Sequence, residues 1–409
     1  MERAVAMRAA ARARLFVEPD FRRLWLVGLV VFAVRWLEML AMAVFAYERT
    51  HSPLIVALLT MLRALPMALF GAPIGAAAER IERHTALVCV VASMALGSLT
   101  LAVLAYAGHL AVWHLCAASF WNGIGWAADN PVRRTMIGDV VGPESMSAAM
   151  ALDVGANNAS SMLGPGVGGL LLATLGIEGA FTVSLACYAV AIAAALRIRH
   201  RDGPRPSGSA SMLAGMIEGV LAVRHHRRLV AALVITIIYN LFGWPFTSMI
   251  PVIGQDSLHL GAGGIGVLAS MNGLGAFAGA LAIAAWARPA HFARLYCGGV
   301  LVYLAMLMLF ALAPQPLLAG AALLMTGISG AGFSTMQATL VYLAAPAGMR
   351  SRIYGVLSVC IGVGPLGFLH LGLLASLIGA PMATVAIGIE GFLALAVSWP
   401  LWRGLLQPA

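Results

Sequence analysis

Apolar runs of about twenty residues, separated by short polar interruptions, fill almost the entire chain. A helix that crosses a bilayer needs about 20 mostly apolar residues. On that measure the pattern predicts spans at 24–47, 53–77, 85–107, 110–132, 147–173 and 178–197. A second set follows at 229–252, 263–286, 294–313, 316–342, 352–376 and 381–402. Between the sets lies the clearest polar break, Arg197–Arg228, which includes Gly203-Pro204-Arg205-Pro206-Ser207-Gly208. The expected fold is an all-α membrane protein of twelve transmembrane helices in two six-helix, pseudo-symmetric halves. Its expected parts are a tail (1–23), a bundle (24–198), a linker (199–228), a second bundle (229–403) and a short tail (404–409). Within the linker, Met212–Val223 has the composition of a short amphipathic helix on the membrane surface.

Glycine and proline punctuate these spans in a repeated way. Gly155 opens a run that continues with Gly164-Pro165 and Gly168-Gly169. Two hundred positions on, part of it returns as Gly355 and Gly364-Pro365, without the closing glycine pair. Both residue types are costly inside helices, so each cluster predicts a bend or a close helix contact. A second echo pairs Gly71-x3-Gly75 with Gly275-x3-Gly279, and small residues four apart let helix backbones approach. Matching clusters in two halves suggest a duplicated scaffold that moves about equivalent points, as in transporters.

Composition agrees with the pattern: 61% of residues are hydrophobic and 10% charged, against about 25% charged in a soluble domain. The net charge is +9, and all 25 basic side chains are arginine. Their placement explains the excess without a nucleic-acid partner. With both termini in the cytoplasm, the inner flanks collect Arg22, Arg23, Arg80, Arg83, Arg133, Arg134, Arg288, Arg294, Arg350, Arg352 and Arg403, and the outer loops only Arg49. The five cysteines all lie in apolar segments without C-x-x-C spacing, so neither disulfide nor metal site is expected. The arginine-rich start lacks the apolar core of a cleaved signal peptide.

Several stretches resemble the major facilitator superfamily. Gly75 to His84, through Glu79, Arg80 and Arg83, is similar to its loop 2–3 motif, with Glu79 in place of aspartate. The run Gly155–Gly169 is similar to its helix 5 antiporter motif. Asn130-Pro131, Arg133-Arg134, Gly138-Asp139 and Pro143-Glu144, with Phe21–Trp25 and Ser52-Pro53, resemble bacterial exporters related to the enterobactin exporter, within the multidrug proton-antiporter branch. One departure is Val34-Arg35-Trp36, where such relatives often carry Gly-Asp-Trp. The resemblance implies alternating access in a bacterial inner membrane, with a charged cytoplasmic gate of Gly75, Glu79, Arg80, Arg83, Asp129, Arg133, Arg134 and Asp139. It also implies that the helix 5 motif seals the outer side against proton leak.

Charges inside a span cost at least about 2.5 kcal/mol near the bilayer centre and need a reason. Arg35 and Glu38 are i,i+3 neighbours. They read either as a cavity pair in which Glu38 takes up a proton and frees Arg35, or as a self-neutralised pair that orients helix 1. Arg63 has no acid within helical reach and needs a partner on another helix, with Glu38 one candidate; a surplus positive cluster there would favour anionic or zwitterionic substrates. Asp153, Asn157, Ser160 or Ser161 and Gly164 form a polar stripe, in which Asp153 is either a second protonation site or a gate pair. Further cavity candidates are Trp36, Asn240, Trp244, Asn272 and Gln337, and Trp244-Pro245 is expected to kink helix 7.

No nucleotide-binding G-x-x-x-x-G-K-[ST], no G-x-S-x-G and no H-E-x-x-H occurs. The expected function is therefore not enzymatic. It is secondary transport, with proton-coupled export of a small amphiphilic or anionic/zwitterionic molecule ahead of import, uniport or a non-transporting receptor. The expected partners are the substrate, protons and the lipid bilayer, with the protein acting as a monomer and without cofactor.

Overall fold

A computed structural model describes residues 15–78, 82–199, 221, 223–224, 226–346 and 349–406. Glu79, Arg80, the terminal arginines before Leu15 and nearly all of the expected linker helix lie outside the described residues. Among the described residues every regular element is helical. Ten stretches are long and apolar enough to cross a membrane.

The first three helices are α1 (Pro19–Thr50), α2 (Pro53–Ala78) and α3 (Arg83–Tyr106). A helical run over Val112–Leu196 then leaves helical backbone angles at Gly142 (φ 71°) and Gly176 (φ 69°). A positive φ is open to glycine at little cost, so these two residues divide the run into α4 (112–141), α5 (143–175) and α6 (177–196). α4 and α5 extend well past the expected apolar boundaries of 132 and 147.

The later helices are less regular. α7 starts as Arg227–Ile238, widens to a π-turn at Tyr239–Gly243, tightens to 3-10 geometry at Trp244–Met249 and resumes as Ile250–Asp256. Pro245 lacks the N–H that an α-helix needs there, so the expected interruption at Trp244-Pro245 is present. α8 is Ala262–Trp286, α9 Phe292–Ala311 and α10 Pro316–Ala344. α11 comes in two pieces, Arg350–Ile361 and Gly364–Ile378, and α12 is Ala380–Val397.

Two apolar cores lie within residues 15–198. A larger one is built from residues 223–405, joined by Ala43, Tyr47, Val56 and Ala57. Where the first segment meets the second, glycine sets the approach. A Cβ at Gly266 would lie 2.6 Å from the Pro165 carbonyl oxygen, and one at Gly169 would lie 2.9 Å from Gly266 Cα. A Cβ at Gly273 would overlap the Ser161 carbonyl. α5 and α8 are thus in backbone contact along the halves away from the arginine-rich end, reinforced by the Gly166 N–H donating to Ser270 Oγ at 2.9 Å. At the same end, the Tyr47 hydroxyl of α1 donates to Asp256 of α7.

The expected bends resolve differently in the two repeats. α5 keeps helical angles through Gly155, Gly164-Pro165 and Gly168-Gly169. Its glycines serve contact instead: a Cβ at Gly164 would meet Trp36 Cβ at 2.6 Å, and one at Gly168 the Leu37 carbonyl at 2.8 Å. In α11 the helix is interrupted around Gly362, immediately before Gly364-Pro365, and Gly364 makes room for the Trp244 ring. Gly155 and Gly355 face open space.

A leucine at Gly273 is therefore expected to lower thermal stability in detergent by about 1–3 kcal/mol through overpacking, while Gly355→Leu changes it little. Equal melting temperatures for the two variants would contradict the α5–α8 contact.

Candidate functional site

A cavity of about 370 Å³ lies at mid-depth between the two segments. That is within the range of small-molecule sites. α1 supplies Trp36, α5 supplies Asn157, Asn158 and Ser161, α7 supplies Tyr239 and Trp244, and α8 supplies Asn272. Tyr239 reaches the cavity from the π-turn, where it stacks on Phe333 at 3.8 Å and packs against Tyr303 at 4.7 Å. The wall combines aromatic faces with amides and hydroxyls, and among the described residues no charged side chain lines it.

Four of the sequence-predicted cavity residues thus converge: Trp36, Asn157, Trp244 and Asn272. The other five sit elsewhere. Arg35 reaches the wall only indirectly, donating from Nη2 to Asn157 Oδ1 at 2.9 Å. Its guanidinium lies 5.0 Å from the Trp36 ring and 4.8 Å from the Trp126 ring, a cation–π setting. Asn240 donates to the Thr236 carbonyl and Gln337 to the Thr236 hydroxyl, both at 2.9 Å, in a buried polar knot that also holds Tyr296. Glu38 and Arg63 are buried inside the first segment.

The expected Arg35–Glu38 pair is replaced by partners on other helices. Glu38 is fully buried and accepts from Ser98 Oγ of α3 and, at 3.2 Å, from Asn122 Nδ2 of α4. Arg63 is coulombically coupled to Glu38, but its Nη1 has no hydrogen-bond partner. A hydroxyl both donates and accepts. Ser98 can therefore serve Glu38 in either protonation state.

Nearer the arginine-rich end, a second buried cluster sets opposite charges directly against each other. Arg133 is 0% exposed and lies between two carboxylates. Its Nε donates to both Asp129 oxygens at 3.2 Å, one turn back on α4, and its Nη1 donates to Asp153 of α5. Arg134 donates to the other Asp153 oxygen at 3.0 Å. The guanidinium of Arg133 rests 4.9 Å from the Phe32 ring and over Gly28, where any Cβ would collide with it. Asp153, expected as a possible proton site, is thus held by two arginines. Of the other expected gate residues, Arg83 pairs with Asp139 at 2.6 Å, and Gly75 lies in the last turn of α2.

Gly28, Phe32, Ser98, Tyr239 and Tyr303 were not picked out by the sequence reading. None carries charge, and none belongs to a repeated pattern. His114 accepts from the Ala111 N–H at the start of α4, a capping contact. Among the described residues no group of three or more His, Cys, Asp or Glu is placed to hold a metal.

A chamber between two helical segments, closed at one end by glycine contacts and flanked by buried charge, defines a membrane transporter with the major facilitator fold. The pattern of the transmembrane secretion effector family, which is part of that superfamily, matches residues 13–402, and the chain belongs to this family. It is 25% identical over 397 residues to the multidrug efflux pump Tap of Mycolicibacterium fortuitum, covering 92% of this chain and 93% of that protein. It is 24% identical over 221 residues to macrolide efflux protein A of Streptococcus pyogenes, where the match spans 53% of this chain and only 55% of the relative. Among solved structures, a POT family transporter in complex with 5-aminolevulinic acid superposes with a TM-score of 0.77 at 13% identity, covering 95% of this chain and 96% of that one. A bacterial homologue of the lysosomal transporter Spinster, inward-facing and unoccupied, gives 0.74 at 17% identity, covering 96% and 100%.

Arg133→Met leaves Asp129 and Asp153 buried and short of a cation, and is expected to destabilise the protein by about 3–5 kcal/mol. Adding Asp129→Asn and Asp153→Asn should recover part of that loss, and Arg134→Ala, at a 44% exposed side chain, should cost little. Thermal unfolding of the set checks the assignment, and a neutral Arg133→Met would contradict it.

Proposed function

We propose that the protein is a proton-coupled exporter of small amphiphilic molecules that works by alternating access. The twelve spans form two six-helix halves, set apart by the break between Arg197 and Arg228 and echoed in the repeated glycines. Both termini face the cytoplasm of a bacterial cell, so the arginine-rich end is the inner one. Export and the multidrug-antiporter branch, to which the enterobactin exporter belongs, are supported by the complete Gly155–Gly169 run and by two relatives that are themselves efflux proteins.

The observation that carries the coupling is Glu38. It is an intramembrane carboxyl with 0% exposure, held by a hydroxyl and an amide rather than an ion pair. Such a group can exchange a proton without breaking a salt bridge, whereas Asp153 would first have to leave Arg133 and Arg134. Glu38 lies two residues from Trp36, which lines the cavity, and on the same helix as Arg35, which holds Asn157 in its wall. A change of charge at Glu38 can thus be felt at the cavity through α1, and Asp153 belongs with the gate.

The substrate reading is narrowed by the wall. With aromatic faces and amides but no charged lining among the described residues, recognition rests on stacking, apolar burial and hydrogen bonds. That chemistry suits neutral or weakly charged amphiphiles better than the anionic substrates that a surplus of arginines in the cavity would select.

The test is flux in proteoliposomes with a macrolide and a panel of neutral and cationic amphiphiles. A pH gradient should drive accumulation by the wild type. Glu38→Gln should keep substrate exchange and lose gradient-driven accumulation, while Trp244→Ala should weaken both by about tenfold, the loss of roughly 1.4 kcal/mol of binding. Accumulation by Glu38→Gln at the wild-type level, or wild-type flux indifferent to the gradient, would overturn the proposal.

A further inference from the structure

The second segment carries a charge imbalance that transport leaves unused. Between Asp256 and Glu390 the sequence contains no acidic residue. The same stretch places Arg288 and Arg294 at its arginine-rich end, after Arg227 and Arg228. The first segment, by contrast, answers its arginines at that end with Asp20, Asp129, Asp139 and Asp153.

Two adjoining cavities lie on this part of the molecule, and they share His291 and Arg294 at the start of α9. One, of about 540 Å³, is a basin at the inner end that includes Arg228, His291 and Arg294. The other, of about 550 Å³, is a groove between α8, α9 and α10. Its floor is glycine: Gly279 and Gly299 bring the three helices together, since a Cβ at either would lie 2.8 Å from a carbonyl oxygen of α10. Gly298 is different, because a Cβ there meets nothing within 4 Å and would project into open space. His291, Arg294, Gly298 and Val302 follow one another at three- and four-residue steps, so they form one face of α9 running from the basic basin into the apolar groove. Trp286, 78% exposed, stands at the mouth, where indole rings favour the membrane interface. Among the described residues, no acidic side chain lines either cavity.

We infer that this face binds an anionic phospholipid of the cytoplasmic leaflet, its phosphate at Arg228 and Arg294 and one acyl chain along the glycine groove over Gly298. The leaflet follows from the orientation proposed above; the site itself does not depend on what is transported. Basic pockets between helices on the cytoplasmic side are the expected setting for anionic head groups. Here the pocket is joined to a chain-sized apolar slot, so the head group and the tail are recognised together.

Purified protein in neutral detergent is titrated with dioleoylphosphatidylglycerol, dioleoylphosphatidylcholine or glycerol 3-phosphate, with bound lipid counted by native mass spectrometry and melting temperature recorded alongside. The wild type should retain phosphatidylglycerol at least about tenfold better than phosphatidylcholine, equivalent to roughly 1.4 kcal/mol, and glycerol 3-phosphate should neither stabilise it nor displace the lipid. The pair Arg228→Ala and Arg294→Ala should abolish the preference for the anionic lipid. Gly298→Leu, which fills the groove without a clash, should weaken retention of both lipids while leaving the lipid-free melting temperature unchanged. Arg288→Ala, which removes one charge outside both cavities, should leave retention intact. Equal retention of the two lipids by the wild type, full retention by the double arginine variant, or an equal loss in Arg288→Ala would overturn the assignment. So would stabilisation by glycerol 3-phosphate that matches the lipid.

Discussion

Charge buried in an apolar bundle has to be matched side chain by side chain, because neither lipid nor core can solvate it. Around Arg133 the match is between opposite charges, although its Nη2, 3.2 Å from Asp129, makes no hydrogen bond. Two carboxylates hold it, an aromatic ring lies beside it and a glycine leaves it room, so that one guanidinium fastens α1, α4 and α5 together. Around Glu38 the match is different in kind. Its partners are neutral, and the nearby Arg63 keeps an unpartnered Nη1. The first cluster is held by ion pairs; the second is held by neutral groups. On the proposed function, that contrast separates a clamp at Arg133 from a proton carrier at Glu38.

The second segment contributes geometry rather than charge. α7 loses its regular hydrogen bonding where Tyr239 and Trp244 face the cavity, and α11 is interrupted beside Trp244. Two of the wall's aromatic side chains, Tyr239 and Trp244, therefore stand on the least regular helix, while Trp36 comes from the regular α1. Backbone contact between α5 and α8 closes this arrangement on the side away from the arginine-rich end. Glycine surfaces without projecting side chains can rock against one another with little repacking, which suits a movement about a central chamber.

Much of this was legible in the chain. Apolar run lengths located the helices, Trp244-Pro245 located the interruption of α7, and charges within or beside the spans singled out Glu38, Asp129, Arg133 and Asp153. Partner choice was not legible, because helical spacing reveals only neighbours on the same helix. Arg35 sits one turn from Glu38, yet it bonds Asn157 on α5. The motif glycines were only partly informative. Gly164, Gly168 and Gly169 carry the close contacts expected of them, but Gly155 and Gly355 face open space, while Gly273, outside any motif, carries a backbone contact. Which glycine is crowded depends on the rotation of the partner helix, and a single sequence does not encode that rotation in any local pattern.

The account turns on Glu38 as the carrier of the coupled proton. The most direct measurement is proton release in lightly buffered detergent solution when a transported amphiphile binds, read with a pH indicator dye. Wild-type protein should release about one proton per ligand bound, and Glu38→Gln should bind the ligand and release none. Release of the same number of protons by Glu38→Gln would contradict the account and place the coupling group elsewhere.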